Sequence, residues 1–83
     1  LDQFAYGLRI FAILNKEGIN NPYVTNAALT ACLFLHDLAE ARIIFNEARK
    51  QFHVNADTYK IMLTLIGQAT SIQKIGPIVA VLN

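Results

Sequence analysis

The chain has 83 residues, enough for one small hydrophobic core and too few for two independent ones. With 54% apolar and only 16% charged residues it has ample surface to bury, which excludes an intrinsically disordered chain. A net charge of +1 gives no broad field for attracting phosphate, so any contact with nucleic acid must rest on locally placed groups. The longest apolar stretch, Ala27 to Leu35, is interrupted by Thr30 and falls well short of the about 20 residues that a bilayer span requires, so no membrane span is expected. Cys32 is alone and cannot form an internal disulfide; it fits a reducing compartment. Leu1 opens directly in helical periodicity, without Met or a targeting pattern, and the chain reads as a segment of a longer protein.

In chain order, Phe4, Gly7, Ile10, Phe11 and Leu14 have the spacing of one helical face and predict a helix over 2–17, closed by Gly18. Asn21 followed by Pro22 supplies an N-cap and a proline at the first helical position, which starts a second helix over 22–35. Its apolar side carries Val24, Ala28, Leu29 and Cys32. Asp37 with Glu40 three residues on resembles a capping box and opens a helix over 38–51, with the stripe Leu38, Ala41, Ile44, Phe45 and Ala48. Asp57 is the expected cap of a helix over 57–68 bearing Thr58, Met62, Leu63 and Ile66. Ser71 is the expected cap of a last helix over 72–82, with Ile72, Ile75, Ile78, Val79 and Leu82, in which Pro77 predicts a kink or a late start.

These stripes coincide under a constant shift. Moving Leu38, Ala41, Ile44, Phe45 and Ala48 by one period of about 34 residues in either direction lands on the first and last stripes, and every position is apolar or small. The intervening helices obey the same shift. The chain therefore divides into a second helix with its linker (1–20), a complete unit (21–55) and a further, less regular unit (56–83). No alternating strand pattern competes, and short connections force neighbouring helices to run antiparallel. The expected fold class is all-α, an α-solenoid of antiparallel helical hairpins with a repeat of about 34 residues.

The tetratricopeptide pattern fits this period, and Ala41, Phe45 and Ala48 satisfy its second half, but its first half fails, because Thr25, Ala28, Leu29 and Cys32 stand where Trp, Leu, Gly and Tyr are required. The sequence instead resembles the pentatricopeptide repeat family in YVTNAALTAC at 23–32, LAEARIIFNEA at 38–48, TYKIML at 58–63 and LNKEGIN at 14–20. It departs from that family in a unit one residue short, in the linker FHVNA at 52–56, and in Pro77. The resemblance implies an organellar protein, mitochondrial rather than plastid, that binds single-stranded RNA and acts in RNA processing, stability or translation. It implies that one base is read per repeat on the first-helix surface. Asn26 and Asn55 are the implied base-reading pair, Val24 and Thr58 the side chains that sandwich the base, and Lys60 a phosphate contact.

Each of these positions has a plainer explanation: Asn26 is also a normal solvated residue in the first turns of a helix, and Lys60 a normal surface lysine. Arg49 and Lys50 also complement the end of their helix dipole. Tyr6, Tyr23 and Tyr59 fall at helix ends, where a ring commonly covers the core while its hydroxyl stays wet. His36 and His53 have no companions at metal-ligand spacing, Glu40 and Glu47 lie opposite the apolar stripe, and no nucleophile or phosphate-loop motif occurs. No metal, cofactor, small-molecule substrate or enzymatic activity is expected. A function of a different class remains open, a helical-repeat scaffold that binds other proteins in an organellar ribosome or other large complex.

Overall fold

The computed structural model describes residues 3–82, with side chains described through residue 70. It contains four helices, α1 (Gln3–Lys16), α2 (Pro22–Leu35), α3 (Leu38–Lys50) and α4 (Ala56–Leu82), and no strand among the described residues.

Local chemistry places most of the ends. Asn21 is extended and its Oδ1 accepts the Val24 N–H at 2.9 Å, so the proline that follows occupies a helical position where no N–H is needed. Gly18 closes α1 at φ 78, with its N–H donating to the Asn15 carbonyl and the Ile19 N–H to that of Leu14. His36 and Phe52 close α2 and α3 with the same pair of bonds, at φ 55 and 62, where a side chain is disfavoured. Asp37 caps α3 through a bond from the Glu40 N–H at 3.0 Å. The reciprocal half of the expected capping box is not made, because the Asp37 N–H already donates to the Cys32 carbonyl in the turn that closes α2.

Two expected caps are corrected. Asn55, not Asp57, caps α4. Its Oδ1 accepts the Thr58 N–H at 3.1 Å while the Thr58 hydroxyl accepts the Asn55 N–H at 2.9 Å, a complete reciprocal box that begins two positions earlier. Asp57 falls in the first turn and pairs with Lys60 at 3.8 Å. Ser71 starts nothing, because the expected helices 57–68 and 72–82 are one helix of 27 residues. The polar side chains before it are satisfied within the helix: the Thr64 hydroxyl donates to the Lys60 carbonyl, and that of Thr70 to the Ile66 carbonyl. Gly67 weakens a helix by about 1 kcal/mol without ending it. The expected kink at Pro77 and the stripe from Ile72 to Leu82 lie outside the residues whose side chains are described.

α2 is the central element and packs on α1, α3 and α4, while α3 also meets α4. The core is Ala28, Leu29 and Cys32 of α2, Ala41 and Ile44 of α3, and Met62 and Leu65 of α4, with Leu8, Phe11, Leu38 and Phe45 packed partly buried around it. The α3 stripe therefore faces inward as its spacing requires. Phe4 stacks on Phe34 with centroids 4.5 Å apart, which sets the beginning of α1 against the end of α2. α1 itself buries no residue fully, and among the described residues its packing partner is α2 alone.

Candidate nucleic-acid interface

The residues singled out for base contact meet where the starts of α2 and α4 come together. Asn26 lies in the second turn of α2, and its Nδ2 donates to Asn55 Oδ1 at 3.0 Å. The Thr58 hydroxyl donates its single hydrogen to Asn26 Oδ1, the nearer of its two acceptors. The three side chains form a closed polar knot between elements 29 and 32 residues apart in sequence. The amide orientations follow from the network: Asn55 Oδ1 must face two N–H donors, so its Nδ2 points away and has no protein acceptor among the described residues. Asn26 spends one of its two amide hydrogens inside the knot.

Burial separates the roles. Asn26 and Asn55 are half-buried, so each presents an edge to solvent. Thr58 is fully buried and has no surface on which to sandwich a base; its contribution is to hold Asn26 and Asn55 together. Val24 is half-buried beside the cap of α2. Lys60 is exposed at 77% of its side chain and shares the first turns of α4 with Asp57, so its ammonium remains free to swing to another anion. Tyr59 is partly exposed and meets Phe45 edge-on at 5.5 Å, and the Arg49 guanidinium lies over the Phe45 ring at 5.9 Å from its centroid. Tyr23 is exposed at the start of α2. The geometry is therefore two linked amide edges with the mobile Lys60 ammonium in the next turn of α4, an arrangement suited to hydrogen bonding.

Sequence reasoning missed the role of Thr58 in the knot and the cap at Asn55. The signal for the cap was present, since Asn55 and Thr58 have N-cap and third-position spacing, but Asp57 competed for it. Cys32 lies in the core; burial, and then the Asp37 and Glu40 carboxylates, push its thiol up to about 11, well above the range of a reactive thiol. Among the described residues no group of three or more His, Cys, Asp or Glu is placed to hold a metal ion. Nor is any helix among them long and apolar enough to cross a membrane. No known protein family, curated protein or solved structure matches the chain.

Proposed function

We propose that the chain is part of a pentatricopeptide-type α-solenoid that binds single-stranded RNA in mitochondria, or alternatively plastids, and acts in RNA processing, stability or translation. The observation that carries this reading is the bond from Asn26 to Asn55 at 3.0 Å, because these are the two residues that the resemblance assigns to one base. Their half-buried, pre-oriented edges suit base contact, since a rigid amide loses little freedom on binding. Helix boundaries add support. α1 and α3 end at Lys16 and Lys50, and α2 and α4 begin at Pro22 and Ala56; both pairs have the same separation, one full period of the apolar stripes.

A second reading, a scaffold that binds other proteins, is favoured by the large apolar side chains left in solvent. Phe52 is 88% exposed, Tyr23 79% and Leu63 70%. Titration of labelled single-stranded RNAs at several salt concentrations separates the two. In the intact protein Asn26→Ala should weaken the preferred RNA by about 1–3 kcal/mol and relax preference at one nucleotide. Lys60→Ala should weaken all sequences alike and lower the salt slope by about 0.7. Because Asn26 also holds the knot, the nucleotide preference is the decisive readout. Unchanged RNA binding in both variants would favour the scaffold.

A further inference from the structure

α1 and α3 both pack on α2 but not on each other, and a groove of about 250 Å³ lies between them. Leu8 and Phe11 form one wall, and Ile43 and Ile44 the other. Glu40 and Glu47 stand on the α3 wall, and among the described residues no lysine or arginine lines the groove. The charges on α3 are segregated: at 3.6 residues per turn Glu40, Ile43, Ile44 and Glu47 share one face, and Arg42 and Arg49 lie on the other. The Glu47 carboxylate accepts from Gln51 at 3.0 Å, but neither glutamate has a cationic partner among the described residues. The groove is smaller than the about 300–1,000 Å³ of a site for a whole small molecule, so it takes protruding side chains.

The complement to this groove is on the chain itself. Tyr6, Arg9, Ile13 and Lys16 recur at three and four residues along the outer side of α1. All four are exposed, Tyr6 at 61% and Ile13 at 60%, and neither cation has an acidic partner among the described residues. Arg9 and Lys16 are seven residues apart, as are Glu40 and Glu47, so both pairs span two helical turns, about 10.5 Å. Ile13 lies between the two cations and Ile43, 64% exposed, between the two carboxylates. Each face thus presents an apolar side chain bracketed by charges of one sign, and the signs are opposite.

We infer that two copies of the chain associate, the Tyr6–Arg9–Ile13–Lys16 stripe of each docking on the Glu40–Ile43–Glu47 wall of the other. A two-fold axis makes the contact self-complementary and duplicates both ion pairs. RNA is not the occupant, because the two carboxylates repel phosphate. The inference does not depend on the RNA reading, which concerns Asn26 and Asn55, a pair outside this groove.

Sedimentation equilibrium of the full chain at low and high ionic strength tests it. The expected result is a dimer that weakens with salt. Glu40→Lys with Glu47→Lys, and separately Arg9→Glu with Lys16→Glu, should each weaken self-association by about tenfold or more, since every pair is reversed twice. An equimolar mixture of these two variants should restore a dimer containing one copy of each, which requires both to be folded. The neutral pair Glu40→Gln with Glu47→Gln, which introduces no repulsion, should give an intermediate loss. A chain that stays monomeric, whatever else binds the groove, overturns the inference. So does a dimer indifferent to the reversals, or a mixture that fails to pair.

Discussion

Asn55 serves two structures at once. It caps α4 and, through the same oxygen, receives the Asn26 amide from α2, so one side chain fixes both the start of a helix and its position against another. Asn55→Ala should therefore lower stability by about 1–2 kcal/mol, the loss of a cap together with a part-buried amide left without its acceptor. Urea denaturation measures this; a loss below about 0.3 kcal/mol would mean that the knot is not maintained in solution. Phe52 presents the opposite case. It sits at φ 62 and is 88% exposed, so it holds a disfavoured backbone conformation while making little contact. The equivalent turn after α1 uses Gly18. Phe52→Gly should stabilise the chain by about 1 kcal/mol by removing that penalty. Destabilisation in the same denaturation measurement would show that the ring packs in solution.

At the scale of the element, the one-period shift that pairs Gly18 with Phe52 also pairs Gly7 with Ala41. Ala41 is wholly buried in α3, whereas a methyl at Gly7 would meet nothing within 4 Å. Gly7→Ala should raise stability by about 1 kcal/mol through helix propensity alone, and the melting temperature by about 4–8 °C. A fall in melting temperature would reveal a close approach at this position. The same comparison explains what could be read from the sequence. Gly18, Asn21 with Pro22, and the α3 stripe were legible because each signal is local and unopposed. The break expected at Ser71 was not, because a polar residue does not by itself start a helix: the Thr64 and Thr70 hydroxyls just before it bond back to carbonyls four residues earlier within the same helix. Thr58, expected to sandwich a base, was not legible as a buried link. Its bond to Asn26 joins residues 32 apart and exists only once α2 and α4 have packed.

The whole molecule measures 51 × 30 × 16 Å, with a radius of gyration of 14.6 Å against about 12 Å for a compact chain of this length. Its cover is uneven for a reason visible in paired residues. Leu29 is fully buried, and Leu63, its counterpart one period on, is 70% exposed. α3 folds back over α2, and α4 instead continues as a single helix. On the proposed function RNA runs along the side where α2 and α4 present Asn26 and Asn55. Ultraviolet crosslinking of RNA to the intact protein, with both the attached residues and the bound sequences identified, tests that most directly. Crosslinks should concentrate at 23–26 and 55–60, with a common single-stranded sequence among the bound RNAs. Crosslinks scattered over α1 and α3, or no RNA recovered above background, would contradict it.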